Sequence, residues 1–389
     1  MTPTLLDMAS EMVELGVSRI HVLAWRDLDD PDAGGSEVHA DEFMRRWAEA
    51  GLSILHRTSA AVGRSATDRR HGYDVVRRGG RMSVFARVPV AETLSRMGPY
   101  DALVEIWNGV PWFSPVWCRK PRVLVLHHVH GPMWNQVFPR PVASLGRWIE
   151  SGFAPRFYRS TPTITTSLDT QHELVDLGWP PELVHTGPVG VDPFFAPVAG
   201  DWYSTKAPRP TILVVGRQAP VKRMEIVLEQ AARARVEVPD LELVLVGDGP
   251  ERSRLEAWVT EHDASSWVRF VGRVDRDRLR EHYRSAWLVA SASLAEGWGL
   301  ALTEAAGCGT PAVATDISGH RCSVVDGSTG LLASTDDLAR AFVRVLSDDD
   351  LRRRLSQAAH DRARSLSWDQ LAVDVLAPLH RQSRQRANR

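Results

Sequence analysis

The sequence predicts an α/β protein made of two doubly wound, mainly parallel sheets. Three observations predict it. Short β-branched runs alternate with longer amphipathic stretches, the pattern of βαβ units. The alternation runs twice, broken once by a Pro- and Gly-rich stretch without period. The 389 residues exceed what one ordinary core accommodates. Composition agrees: 43% hydrophobic and 24% charged residues describe a globular chain. A net charge of -1 supplies no field to draw the chain to nucleic acid, so no such partner is expected.

In the first half "RIHVLAW" (19–25), "LSILHRT" (52–58), "DALVEIW" (101–107), "RVLVLHH" (122–128) and "TPTITTS" (161–167) read as buried parallel strands. "SEVHADEFMRRWAEAG" (36–51) reads as a helix between the first two. "GPVGVDPFFAPVAGDWYSTKAPRP" (187–210) is then the interdomain linker. After it come "TILVVG" (211–216), a helix near 222–235, "LELVLVG" (241–247), a helix near 250–262, "WVRFVG" (267–272), "AWLVASA" (286–292), a helix near 300–307 and "TPAVAT" (310–315). The expected domains are 1–192 and 210–365, both Rossmann-like, joined by 193–209 and facing each other across a cleft. In such sheets ligands bind outside the carboxyl ends of the strands. The stretch 366–389 is expected to be a helix packing back on the first domain, followed by a disordered basic tail, "RQSRQRANR".

The first twenty residues carry acids and no long apolar core, and nowhere do eighteen apolar residues run together. We therefore expect no signal peptide and no spanning helix. Three cysteines without a C-x-x-C pair read as reduced thiols. A cytoplasmic protein is expected, with any membrane contact peripheral and at the inner face.

Four side chains and one turn carry the chemistry. In "GRQAPVKR", Arg217 follows a strand and Lys222 stands near the next helix start, which suits the oxygens of a diphosphate. In "LAEGWGLALTEAAGCG", Gly297 and Gly299 let backbone approach a ligand, and the helix start at Gly299 and Leu300 forms an anion site. Glu296 beside that site would repel phosphate, so its partners are better sought among neutral hydroxyls. Glu304, two turns on, also suits a hydroxyl pair such as a ribose diol. A nucleotide sugar satisfies Arg217, Lys222, Glu296 and Glu304 together.

"EGWGLALTEAAGCGTPAVAT", with its E-x7-E pair, resembles the family-4 retaining glycosyltransferases of the GT-B fold. "VVGRQAPVKR", "VGDGPERSRLE", "FVGRV", "VGVDPFF" and "DGSTGLL" are similar to further segments of that family, and together they cover nearly the whole chain. The resemblance implies that Arg217 and Lys222 grip the donor diphosphate. Glu304 would bind the ribose, Glu296 the donor sugar, and the backbone of Trp298 to Leu300 sugar and phosphate. In the first domain, the acceptor side, "AGGSEVHA" places Gly34 and Gly35 at the cleft floor, and "KPRVLVLHH" aligns His127 with a histidine near the reacting sugar. The sequence departs at "SGHRC", where Cys322 stands in place of the family's glutamate, and "HHVH" also offers His128 and His130.

Other features have plainer readings. Alternation along a strand sends His127 and His128 to opposite faces, so the histidines are not expected to hold zinc. "DLDDPDAGG" (27–35) lacks the spacing and closing Glu of a calcium loop. "DRRHGYDVVRRGGR" (68–81) reads as a solvated basic face, with membrane or phosphate attraction as the alternative. "WNGVPWFSPVW" (107–117) reads as packing first and acceptor stacking second. The expected protein is a retaining hexosyltransferase that takes a sugar from a nucleoside diphosphate, without metal or other cofactor, to a glycan, lipid or small-molecule acceptor. The alternatives are an epimerase or hydrolase on the same fold, or a binding protein without turnover.

Overall fold

A computed structural model describes residues 3–388 apart from 132, 133, 138 and 201. Asp201 of the expected linker and Arg389 of the tail lie outside the described residues. The chain divides into two units, Met1–Val189 with Trp368–Arg389, and Gly190–Ser367.

The first unit carries β1 (Arg19–Leu23), β2 (Ser53–Thr58), β3 (Thr67–Arg70), β4 (Tyr73–Arg77), β5 (Ala102–Trp107), β6 (Arg122–Leu126), β7 (Thr163–Thr165) and β8 (Val184–Thr186). They form one sheet in the order β3-β4-β2-β1-β5-β6-β7-β8. Every neighbouring pair is parallel except β3 and β4. Its helices are α1 (Leu5–Glu14), α2 (Gly35–Glu49), α3 (Val84–Thr93), α4 (Ser114–Trp117), α5 (Trp134–Val137), α6 (Arg140–Arg147), α7 (Pro155–Tyr158) and α8 (Leu168–Asp176). All six residues of β5 are buried, as a central parallel strand requires. Its Glu105 is satisfied by the Trp112 and Ser114 amides at 2.8 and 3.2 Å and by the Tyr158 hydroxyl. The aromatic stretch 107–117 is thereby folded onto a buried carboxylate as core.

The second unit carries β9 (Thr211–Val215), β10 (Glu242–Val246), β11 (Val268–Gly272), β12 (Leu288–Ser291), β13 (Ala312–Thr315) and β14 (Gly330–Ala333), all parallel, in the order β11-β10-β9-β12-β13-β14. Its helices are α9 (Met224–Ala234), α10 (Arg252–Glu261), α11 (Arg276–Ser285), α12 (Leu300–Gly307), α13 (Ser318–Ser323), α14 (Leu338–Ser347) and α15 (Asp349–Ser365). The last helix, α16 (Trp368–Ala387), belongs to the first unit. Among the described residues no helix is long and apolar enough to cross a membrane.

Three expectations change. The stretch 193–209 is not a linker but part of the second unit. Phe195 is buried against Tyr283, the Lys206 ammonium donates to Thr310 Oγ1 at 2.6 Å, and Trp287 donates to the Ala207 carbonyl at 2.8 Å. The chain leaves the first unit at Val189 and re-enters it at Trp368. The basic tail is not disordered, because α16 continues to Ala387 and Gln382 bonds both the amide and the carbonyl of Arg122. Leu371, Ala372, Val375, Leu376 and Leu379 of α16 are fully buried, and Trp47 of α2 donates its indole N–H to Ala372 O at 2.9 Å.

The run 68–81 is a solvated face on one side only: Arg69, Arg78 and Arg81 are exposed, whereas Tyr73, Val75 and Arg77 are buried. It forms the β3–β4 hairpin around a two-residue turn, His71 and Gly72, both with positive φ. Arg77, Arg81 and Arg70 meet the acids of 27–32, which the sequence reading treated as a separate feature. Arg77 Nη2 lies 2.5 Å from Asp27 Oδ2 and 2.8 Å from Asp29 Oδ2, while Arg81 reaches Asp30 at 3.0 Å. Arg77 and Asp27 are buried. Removing one member of such a pair strands the other charge, so Arg77→Met should cost about 3–5 kcal/mol in urea denaturation. Arg64→Met, at an exposed pair 3.9 Å from Asp29, should cost under about 0.5 kcal/mol. Equal losses would show that the hairpin is not a staple.

Candidate active site

In the second unit the strand order reverses at β9, which has β10 on one side and β12 on the other. The loops leaving β9 and β12 flank the point where an open parallel sheet offers a ligand crevice. The first carries Arg217, which is exposed, and then a short 3₁₀ turn, Pro220–Lys222. The second carries Glu296, Gly297 and Trp298 and runs into α12, whose cap is Gly299 at φ 101° and whose first residue is Leu300. Leu294 N donates to Val221 O at 2.9 Å, joining the loops. Arg223 secures the same junction. It adopts a left-handed backbone at φ 44° and sends its guanidinium to Ala292 O at 2.8 Å.

The two loops therefore bring Lys222 and Glu296 together. The ammonium lies 2.5 Å from Glu296 Oε1, and Ser293 Oγ donates to the same oxygen at 2.7 Å. Glu296 Oε2 has no hydrogen-bond partner among the described residues. Burial pushes the Glu296 carboxyl up, but Lys222, His320 and Ser293 more than offset it and hold the group below the ordinary glutamate range. His320, fully buried on α13, joins the ends of β12 and β13 through Ser291 Oγ at 3.0 Å and Thr315 O at 2.7 Å. Gly319 beside it is forced by close approach: a Cβ there would stand 2.3 Å from Glu296 O. Trp298 is itself buried, its indole 3.4 Å from Thr303 Oγ1, so its ring is turned inward.

Glu304 sits apart from this pair, half-buried on α12, where Oε2 accepts from the Tyr283 hydroxyl at 2.8 Å. Burial pushes its carboxyl up to about 7, against the Tyr283 hydrogen bond and Arg276, with Asp192 adding to the rise.

In the first unit the order reverses at β1, between β2 and β5. Gly34 caps α2 and Gly35 opens it, in the loop leaving β1. Glu37 turns back to accept from Gly34 N at 2.7 Å and takes the Arg26 guanidinium at 3.2 Å. His127 follows β6 and is buried edge-on against His39 of α2, ring centroids 4.7 Å apart, with no hydrogen-bond partner for any ring nitrogen of the pair among the described residues. Burial pulls His127 down to about 3, so it is a neutral imidazole at physiological pH. His128 goes elsewhere, its ring 4.5 Å from that of His130 and tilted 35° to it, and His130 is held by Glu150 at 3.2 Å. Among the described residues no three His, Cys, Asp or Glu converge as a metal site.

Sequence reasoning missed Ser293, His320, Arg223, His39 and the Glu37 clasp. Only Glu37 left a readable signal, an acid three residues past a helix cap. At "SGHRC" the residue turned inward is His320, whereas the carbonyl of Cys322 serves Arg362.

Residues 33–194 match the model of the Glycosyltransferase Family 4 and residues 203–362 that of the Glycosyl transferases group 1. The D-inositol 3-phosphate glycosyltransferase of Salinispora arenicola is 31% identical over 392 residues, spanning 89% of this chain and 86% of that protein. The chain belongs to the family-4 glycosyltransferases. Sucrose-phosphate synthase from Thermosynechococcus elongatus superposes with TM-score 0.76 at 23% identity, covering 94% of this chain and 98% of that one. Anabaena HepE, solved with UDP-glucose, superposes with TM-score 0.69 at 18% identity, covering 95% and 100%. Both share the fold, which is GT-B, and the chain is a glycosyltransferase.

For this glycosyltransferase, Gly319→Ala should drive the α13 start from the Glu296 loop. Overpacking of this kind costs about 1–3 kcal/mol, and transfer should fall with it. A variant with the parent's melting temperature and rate would show that the two backbones have room to part.

Proposed function

We propose that this glycosyltransferase is retaining, takes its sugar from a nucleoside diphosphate and needs no metal. The observation that carries the reading is the Lys222–Glu296 pair at the β9–β12 reversal, with the start of α12 immediately beyond it. As the anomeric carbon separates from the diphosphate, negative charge grows on the departing oxygens. Lys222, Arg217 and the first amides of α12 are preorganised cations and dipoles for that charge, the role a magnesium ion has in other transferases. Glu296 fixes the ammonium with Oε1 and keeps Oε2 for the hydroxyls of the sugar. Glu304 takes the ribose diol. HepE in complex with UDP-glucose supports a nucleotide-sugar donor on this fold.

A carboxylate engaged by an ammonium is a poor nucleophile, which favours same-face transfer over a covalent glycosyl-enzyme. The acceptor oxygen bonds to the anomeric carbon on the face the diphosphate leaves, and the acceptor proton passes to a donor phosphate oxygen. The Gly34–Gly35 turn and the neutral His127 are assigned to the same reaction from the family resemblance. The acceptor is a hydroxyl of a glycan, lipid or small molecule.

The test is transfer from a panel of nucleotide sugars in the presence of EDTA, with the product's anomeric configuration read by NMR. The donor's configuration should persist, and EDTA should leave the rate unchanged. An inverted product overturns retention, and activity lost to EDTA but restored by magnesium overturns metal independence.

Glu304 gives a sharper expectation. Its carboxyl, raised to about 7, is largely protonated at pH 6 and ionised at pH 8, and only the ionised form accepts strongly from a diol. Affinity for a bare nucleoside diphosphate should therefore rise from pH 6 to pH 8 in calorimetry. Glu304→Gln should flatten that rise and cost about 1.5–3 kcal/mol at the upper pH. A variant that keeps the parent's slope would take Glu304 out of the nucleotide site.

A further inference from the structure

The carboxylate of Glu296 stands at one end of a polar row whose Ser293 and His320 are buried. Ser293 Oγ donates to Glu296 Oε1 at 2.7 Å, Ser291 Oγ lies 3.2 Å from Ser293 Oγ, and His320 Nε2 lies 3.0 Å from Ser291 Oγ. At the far end His320 Nδ1 is 2.7 Å from the carbonyl oxygen of Thr315. A carbonyl only accepts, so Nδ1 carries the hydrogen, and Nε2 of the neutral ring accepts from Ser291. The row is then broken in the middle. Ser291 spends its hydrogen on His320 and Ser293 spends its own on Glu296, which leaves none for the contact between the two serines. A proton on Nε2 repairs the break: the ring donates to Ser291, Ser291 to Ser293 and Ser293 to Glu296. With Nδ1 held by Thr315, the row is complete only between an imidazolium and a carboxylate.

Lys222 decides whether that proton is taken. Its ammonium is the counter-charge of Glu296, and it also repels a charge on His320. Burial, with Lys222 and Arg223 behind it, holds the imidazole below its ordinary range, against Glu296 and the Thr315 carbonyl. Arg223 is fixed, its guanidinium on the Ala292 and Ser293 carbonyls at 2.8 and 3.3 Å. Asp316 and Arg321, near His320 in sequence, pair with each other at the surface at 2.6 Å. Lys222 is the charge a ligand can reach, its side chain 30% exposed. When an anion draws the ammonium away, Glu296 loses its partner and His320 loses a repelling cation. Both changes favour a proton on the ring. It goes there rather than to the carboxyl, because an imidazole ordinarily binds protons about a hundredfold more tightly. Both ring N–H groups also have acceptors in place, Thr315 O and Ser291 Oγ. The ring underlies the cap of α12 as well, since a Cβ on Gly299 would stand 3.5 Å from His320 Cδ2.

We propose that His320 is a positioning residue for transfer, holding Glu296 through Ser291 and Ser293 and becoming its counter-charge when Lys222 turns to a diphosphate. Glu296 then stays ionised and stays in place while the ammonium serves the leaving group. The proton comes from solvent and returns there when the diphosphate departs, so turnover consumes none. The role rests on Lys222 gripping the diphosphate and Glu296 facing the sugar, as proposed for the reaction. Uptake at His320 runs against release at Glu304, so it is read from the ring itself rather than from affinity.

The test is NMR titration of the full chain with isotope-labelled histidine, the His320 signal being identified by its loss in His320→Asn. In the parent the ring should be neutral and protonated on Nδ1 at neutral pH. Its titration midpoint should rise by about one pH unit or more in Lys222→Met and fall in Glu296→Gln. It should also rise when the parent is saturated with whichever of UDP, GDP and ADP binds. A ring that only braces the fold would titrate alike in all of these. In transfer assays His320→Asn keeps a donor for Thr315 O and loses the bond to Ser291, and Ser291→Ala loses that bond with the ring in place. Each should lower kcat about tenfold, the worth of one hydrogen bond. An unmoved midpoint in Lys222→Met overturns the proposal, as does the parent's kcat in both His320→Asn and Ser291→Ala. A midpoint that rises in Lys222→Met but not with a bound diphosphate would overturn the grip of Lys222 on the donor and leave the pairing of His320 with Glu296 standing.

Discussion

Strand order at β9 decides what the second unit can do. Because β10 and β12 flank it, the chain must leave β9 and β12 into loops that start as neighbours, although some seventy residues separate them in sequence. Those loops share one backbone bond, one arginine clasp and one ion pair, and each depends on the others. Without the reversal Lys222 has no carboxylate to stand against, and Glu296 is an acid buried without a counter-charge, which proteins do not tolerate. The same placement brings the 3₁₀ turn that carries Lys222 against the loop that leads into α12.

Glu296 and Glu304 show how one residue type acquires two characters. Burial raises both carboxyls, and the partner decides the outcome. An ammonium and a serine hydroxyl bring Glu296 below its ordinary range, whereas a phenol leaves Glu304 near neutrality. The first is a fixed charge that organises cations. The second changes charge where a cell's pH lies.

Much of this was legible in the sequence because it is local. Runs such as "TILVVG" and "LELVLVG" announce buried parallel strands by composition alone, and the E-x7-E pair, Arg217 and Lys222 stand in recognisable company. What stayed hidden is pairing over distance. The 68–81 arginines and the 27–32 aspartates look like two charged loops until a hairpin folds one over the other. The stretch 193–209 has the Pro and Gly content of a linker, yet its aromatic residues find partners in a core built from residues nearly a hundred positions later. His39 and His320 carry no sequence signal: each is an ordinary histidine in a helix, and only its burial against another strand end makes it part of a site.

The path of the chain through the two units has a consequence for how the molecule comes into being. The first unit takes its last helix, α16, from beyond the second unit. A ribosome finishing Val189 has made a sheet whose α1 and α2 flank is still bare: Met12 and Trp47, fully covered in the finished protein, have no α16 to cover them. That face stays open while every residue from Gly190 to Ser367 is synthesised. The indole of Trp47 finds the carbonyl of Ala372 only after the whole second unit has been made, so the two units, distinct as packed bodies, are not independent as products of synthesis. The nascent first unit is the species most in need of a holding chaperone, and a chain cut just before Trp368 would keep that need permanently.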